Sequence, residues 1–487
     1  MAYEVFRISN ESPNQNTFPT TSYSSPASIF GTTPQENSST FYTWSNFESK
    51  ITLPSTGLAD GYLFIGYFEF ESTTNGRFQP QARFNKTTSG GNFTSSQTGG
   101  YSRNNSTSDR SYVRTMALEL NPTALGSYEF QWKRDVNVVT GGLQICGIEV
   151  VSLYFNDAAI FESTSNAIYG GTTPNQVVGF TESLAGSNIS FSSNTVTLNG
   201  GDDKRYLCFG SYFFEGFGSA RTQRWGGFRI DGTKDDTTKA YSYYRDSSND
   251  ENGSLFTNII EATTGTEVDM FCYTGDGTSN NQGGADSDGS GTPTLGSHFM
   301  AFIELKDGCR VFKTSNGGAS NLNISTANEL LLDFTLTENI IQTPFYPDGR
   351  NDGLGINITQ AESQKRLLLG ANIGGASRNV SSGTRYTGFT EFLVQSGTTN
   401  TPTTAQGNYL RGQQGSTDTF GWSSNMLSYY NYGWNDIPSF VIRIGTTALG
   451  SAGPVDVIGG WLGAWGLDLE TMDEDNPPFP RRLLIVR

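Results

Sequence analysis

The chain has 487 residues, 35% hydrophobic, 13% aromatic and 16% charged, with 58 Gly and a net charge of −16. It is too long for one ordinary sandwich and fits three domains of usual size, with few but large aromatic side chains to fill their cores. The acidic balance sets it against nucleic-acid backbones and anionic membranes, and no apolar run is long enough for a transmembrane helix.

Residues 1–45 are rich in Ser, Thr, Pro and Asn and read as an extended N-terminal arm. No basic, apolar leader follows Met1-Ala2-Tyr3-Glu4-Val5-Phe6, so the expectation is a soluble protein made in a host cytoplasm, without membrane insertion. A β-type segment, Ile51-Thr52-Leu53, precedes the apolar block Tyr62-Leu63-Phe64-Ile65-Gly66. This pattern recurs as Val196-Thr197-Leu198 with Tyr206-Leu207-Cys208-Phe209-Gly210, and as Ile358-Thr359 with Arg366-Leu367-Leu368-Leu369-Gly370. A second block follows: Tyr101-Ser102-Arg103, Tyr243-Tyr244-Arg245 and Tyr409-Leu410-Arg411, whose arginines stand 37, 35 and 41 residues after Gly66, Gly210 and Gly370. Two further apolar runs close each copy. The first set is Tyr128 to Trp132, Val268 to Tyr273 and Phe440 to Ile444; the second is Gly147 to Leu153, Phe299 to Leu305 and Trp461 to Leu469. Four elements in one order, three times, make a threefold internal repeat.

Within each copy the period is that of strands. Tyr128, Phe130 and Trp132 share one face, and polar Glu129, Gln131 and Lys133 take the other. Tyr62 to Phe68 is apolar throughout, as in a strand covered on both faces. Helical crossovers are missing; only Ala327 to Phe334 has some helical character, and it reads equally well as a strand. The expected fold is therefore all-β, with three tandem antiparallel β-sandwich (jelly-roll-like) domains at 46–165, 186–320 and 328–470. Residues 156–187 and 306–355 read as links, and 471–487 as an acidic, then Pro-rich, then basic and apolar C-terminal tail.

Candidate chemistry is sparse. The single histidine, His298, reads as an ordinary residue at a strand start, and neither a nucleophile elbow nor a phosphate-cradling loop is present. Asp286-Ser287-Asp288-Gly289 places two carboxylates before a Gly turn. Calcium at Asp286 and Asp288 is the alternative to a plain turn, and the turn is preferred because a third acidic ligand and a closing Glu are lacking. Asp348 to Gly353 reads the same way. Cys146, Cys208 and Cys272 sit in apolar runs and read as small buried hydrophobes. Cys309 lies apart, and no pair has metal-site spacing. The Tyr-x-Arg block (Tyr101/Arg103, Tyr243/Arg245, Tyr409/Arg411) offers two readings. It is a sugar or partner contact by stacking and guanidinium hydrogen bonds, or a structural element with Tyr in the packing and Arg at a turn or domain crossing. The structural reading is preferred because every copy keeps the block. No catalytic residue, cofactor or metal is expected.

The Gly/Ser/Thr/Asn-rich, acidic composition, with Tyr101 to Arg103 ahead of Tyr128 to Trp132 and the later equivalents, resembles virion structural proteins of tailed, especially marine, phages. Their modules resemble tumour-necrosis-factor-like jelly rolls. The third copy departs most, lacking the Tyr of the first block. The resemblance implies a non-enzymatic virion protein, a capsid decoration or head knob present in multiple copies. Its partners would be the major capsid protein or other virion proteins, with a host surface glycan as a further candidate, and no nucleic acid. The alternatives are a tail fibre or baseplate appendage touching the host, or a carbohydrate-binding adhesin.

Overall fold

The computed structural model describes most of residues 5–306 with side chains, leaving out chiefly 14–18, 38–41, 54–58, 73–76, 104–108, 135–140, 164–172, 216–220, 246–250 and 275–297. Beyond 306 it describes strand backbone alone. Among the described residues every ladder is antiparallel, and a single 3-10 turn, Asp236–Thr238, interrupts an otherwise all-β chain.

The first two sheets arise from the alternation legible in Tyr128 to Trp132. Strand Ser127–Arg134 buries Tyr128, Phe130 and Trp132 and leaves Glu129 and Gln131 partly exposed. Its sheet runs Thr43–Ser45, Lys50–Thr52, Ser127–Arg134, Pro80–Lys86, Thr98–Gly99. A second sheet runs Glu36–Asn37, Val5–Asn10, Gly141–Leu153, Gly61–Ser72, Asp109–Leu120, Asn92–Ser95. Between them Phe64, Phe68, Phe84, Phe130, Trp132 and Ile148 form one apolar core. Its rings meet edge-on: Phe68 and Trp132 at 5.8 Å, Phe84 and Phe130 at 5.6 Å. Such pairs add about 0.5–1.5 kcal/mol beyond area burial. Gly66 has a packing reason, since a Cβ there would lie 2.5 Å from the Phe130 ring.

The next pair of sheets repeats this order. One runs Phe180–Leu184, Phe155–Ser163, His298–Leu305, Lys204–Glu215, Glu251–Ala262. The other runs Ile189–Ser192, Thr195–Leu198, Thr266–Thr274, Arg221–Ile230, Thr233–Lys234, with Ala240–Arg245 also paired to Arg221–Ile230. Their core contains Tyr206, Cys208, Tyr212, Phe228, Met270 and Phe302. Gly210 admits a ring as Gly66 does, here Phe256 from the adjacent strand, 2.2 Å from where a Cβ would be. The third set has the same order. Thr335–Asn339, Val311–Asn316, Val455–Gly466, Arg366–Ser377 and Phe420–Asn431 make one sheet. Phe345–Asp348, Gly355–Ile358, Ser439–Leu449, Arg385–Ser396 and Thr399–Pro402 make the other, with Gln406–Arg411 also on Arg385–Ser396. Gly66, Gly210 and Gly370 thus occupy strands at the same place in the three orders.

The doubly apolar runs are explained by a third core. Leu63, Ile65, Met116 and Leu118 project from the first sheet's other face and pack with Leu207, Phe209, Ile259 and Ile303 of the second set. The first and second sets are therefore not independently cored, because the sheet faces a sandwich ordinarily leaves in water are buried against each other. Thr98–Gly99 lies beside Glu251–Ala262, Ala240–Arg245 beside Phe420–Asn431, and Gln406–Arg411 beside Asp109–Leu120.

Three expected segments are corrected. Within 1–45, Val5–Asn10 is a strand pairing with Cys146 to Val151, and Phe6 and Ile8 are fully buried, so this part is core and not arm. Residues 156–187 are not a link. Phe155–Ser163 pairs with His298–Leu305 and Phe180–Leu184 pairs with Phe155–Ser163, so the boundary expected at 165 cuts after a strand of the second set. Likewise 306–355 contains Val311–Asn316, paired with Val455–Gly466. In each case a polar-spotted strand gains its partners from far along the chain. The tail 471–487 lies outside the described residues, and within Ala327 to Phe334 only Leu330–Leu331 is described, as a strand.

Candidate functional site: the Tyr-x-Arg seam

The first two copies of the Tyr-x-Arg block meet. Tyr101 and Tyr243 are each 3% exposed, and their rings cross at 4.9 Å and 75°. Around them the first set touches the strand Glu251–Ala262 with almost no clearance. A Cβ on Gly253 would lie 2.0 Å from the Gln97 carbonyl oxygen, and one on Gly99 would lie 2.5 Å from the Asn252 amide oxygen. Asn252 in turn donates its amide to the Tyr243 carbonyl at 2.7 Å. Tyr101 and Tyr243 are therefore packing residues of a seam. Gly99, Asn252 and Gly253, which complete the seam, belong to no repeated block. The side chains of Arg103, Arg245, Tyr409, Arg411 and Asp348 lie outside the described residues, as do Asp286, Asp288, Cys309 and Gly349 to Gly353.

Backbone register adds what the block alone does not contain. Arg103 stands opposite Arg77, Arg245 opposite Arg221, and Arg411 opposite Arg385. Each is the last pair of its ladder, and residues directly opposite share a face of the sheet. All three pairs fall at one end of the strands. Ser72, Glu215 and Ser377 end the strands that lead to Arg77, Arg221 and Arg385. The other end carries the connections between sets, Leu153 to Phe155 and Leu305 to Val311, as well as Gly466 of the last strand.

Buried polar groups elsewhere are structural. Glu119, fully buried, accepts from Lys86 at 2.7 Å and from the Tyr128 hydroxyl at 2.9 Å, and burial pushes that phenol well above its ordinary range. Glu304 accepts from Asn188 at 3.2 Å and Tyr206 at 3.3 Å. The repeated tyrosine of the first block also accepts a backbone N–H, from Ala59 onto Tyr62 and from Gly200 onto Tyr206. Glu149 holds Arg7 at 3.7 Å, and the Arg114 guanidinium, whose pKa burial lowers, lies 5.3 Å over the Tyr67 ring. His298 starts its strand as expected, yet it is fully buried, with Nδ1 accepting from the Phe213 N–H at 3.2 Å. Burial pulls its pKa from 6.5 down to about 4, so the ring is neutral and unsuited to proton transfer near neutrality. Cys146, Cys208 and Cys272 are buried and in no disulfide, and burial raises the Cys146 thiol. Among the described residues no group of three or more His, Cys, Asp or Glu is placed to hold a metal, and no helix is long and apolar enough to cross a membrane.

No protein-family model matches the chain, and no curated protein matches it.

Proposed function

We propose that the chain is a non-catalytic virion structural protein, a capsid decoration or head knob, in which three fused jelly-roll-like sandwiches stand around one axis as a trimer made from a single chain. The units begin at Val5, Phe155 and Val311. The carrying observation is the cyclic succession of neighbours. Thr98–Gly99 of the first set lies against Glu251–Ala262 of the second. Ala240–Arg245 of the second lies against Phe420–Asn431 of the third, and Gln406–Arg411 of the third lies against Asp109–Leu120 of the first. In the strand orders these are the same two positions each time. A head-to-tail contact repeated three times closes into a ring. A ring of this kind fits a three-fold position on a shell, with the connection end facing inward. The resemblance to phage virion proteins supports the setting, and affinity for the shell would come from terminal segments docking by strand addition or apolar contact.

Quantitative mass spectrometry of purified particles tests the reading. Copies in the hundreds per particle are expected; a handful of copies would favour a tail fibre or baseplate appendage, and absence from the particle would overturn the proposal.

A further inference from the structure

We infer that Arg83, on the outer face of the five-stranded sheet of the first set, is the centre of a binding site for an acidic glycan, held through the carboxylate of a uronic acid unit. Arg83 alternates with core-facing Ala82 and Phe84 and is partly exposed. Its guanidinium lies 3.9 Å over the Tyr23 ring, and its Nε donates to Gln131 Oε1 at 3.1 Å on the strand directly opposite. Among the described residues these are its partners, and neither uses the two terminal nitrogens. The carboxylate on the same face, Glu129, accepts from Gln131 at 3.2 Å and from the Ser25 hydroxyl at 3.3 Å instead. A chain with 47 acidic and 31 basic residues thus leaves this guanidinium fork without a carboxylate of its own.

The fork is also held in place before any ligand arrives. Ser24 exchanges backbone hydrogen bonds with Trp132 at 3.1 and 3.0 Å, which ties the segment carrying Tyr23 to the sheet. The Tyr23 hydroxyl donates to Gln81 at 3.2 Å, and its ring also takes the Lys133 ammonium at 4.8 Å. Two cations on one ring give this face a local positive potential. A guanidinium stacked on a ring and fixed at Nε has little freedom left to lose on binding, and its planar edge matches the two oxygens of a carboxylate. Beside it the Gln131 amide, the Glu129 carboxylate and the Ser25 hydroxyl form a row of donors and acceptors, the groups that pair with sugar hydroxyls.

The surroundings select among anions. Pro80–Lys86 and Ser127–Arg134 are interior strands of their sheet, so this face offers side chains and no unpaired backbone edge for an added peptide strand. A net charge of −16 opposes nucleic acid, with its dense phosphate charge. The site also belongs to the first set alone. The rung of Gln131 and Arg83 comes three residues after Tyr128. Three residues after Val268 the second set has Phe271 opposite Gly227, and three after Phe440 the third has Arg443 opposite Glu391. Gly227 is closed over by Thr238, whose Oγ1 would lie 3.0 Å from a Cβ there. One ligand per chain follows. The inference goes beyond the proposed role and does not rest on it, because every group it uses lies within the first set.

The test uses the full chain in solution. Equilibrium binding would be measured to tetramers of galacturonate and of mannuronate, to their methyl esters and to hexaglutamate, together with thermal melting of each variant. At least one uronate tetramer should bind, at one site per chain. Its methyl ester, the same sugar without the charge, and hexaglutamate, the charge without the sugar, should each bind about tenfold or more weakly. R83Q should weaken uronate binding by about tenfold or more with an unchanged melting temperature. R83K keeps the charge and loses the fork; it should weaken binding as well, and it decides the matter if R83Q melts early. R205Q removes one positive charge from the second set and should bind like the wild type. The inference fails if neither uronate binds, if three bind per chain, if the ester or the peptide binds as tightly, or if R83Q and R83K bind like the wild type.

Discussion

The first and second sheet sets share one strand order but keep their buried carboxylates in different places. In the first, Glu119 sits opposite Tyr62 on the strand Asp109–Leu120 and binds Lys86 and Tyr128. In the second, Ile260 sits opposite Tyr206 at that ladder, and Glu304 meets Tyr206 from the other neighbouring strand. The equivalent tyrosines accept the same kind of backbone N–H. Strand order and the glycine–ring contact thus persist while individual polar partners have moved. Features held by backbone register are the durable ones in this fold, and the Arg–Arg rungs are of that kind.

The sharpest way to break this comparison is to remove each carboxylate. E119L leaves the Lys86 ammonium buried without its counter-charge and should cost about 3–5 kcal/mol. E304L strands only neutral donors from Tyr206 and Asn188 and should cost about 1–3 kcal/mol. Urea denaturation of the two variants checks the order, and equal losses would mean that the ion pair is not what distinguishes the sets.

A second difference is pH. Only the second set holds a histidine. Its folded pKa of about 4 lies below the ordinary 6.5, so the unfolded chain binds the proton first. This contribution is whole above pH 6.5 and is lost as pH falls toward 4, amounting to about 3 kcal/mol across that window. H298F should flatten stability between pH 6.5 and 4 relative to the wild type. An unchanged profile would mean the ring is not held neutral.

Effects of the size expected for E304L come from the glycines. G66A drives a Cβ into Phe130 of the facing sheet, and G210A into Phe256 of the neighbouring strand. Each should cost about 1–3 kcal/mol by overpacking, read from denaturation midpoints. If Gly370 has the same packing role, G370A should match them.

Much of this was legible in the sequence for simple reasons. Tyr128, Phe130 and Trp132 alternate as a half-covered strand must, and Leu63 and Ile65 betray a second buried face. Lys133 lies on the polar face with Gln131, yet it is 8% exposed, because that face is covered there by the Tyr23 ring, 4.8 Å from its ammonium. Val5–Asn10 and Phe155–Ser163 were missed because mixed polar strands look like loops until their distant partners are known. Arg77, Arg221 and Arg385 stand in no repeated block, so only the ladder register brings them to the arginines of Tyr-x-Arg.

The proposed arrangement of three units around one axis underlies the proposed role, and small-angle X-ray scattering of the purified chain tests it most directly. A closed ring of 487 residues should behave as one compact body, with a radius of gyration of about 23 Å. A value of roughly 35 Å, that of three separate modules in a row, would contradict it.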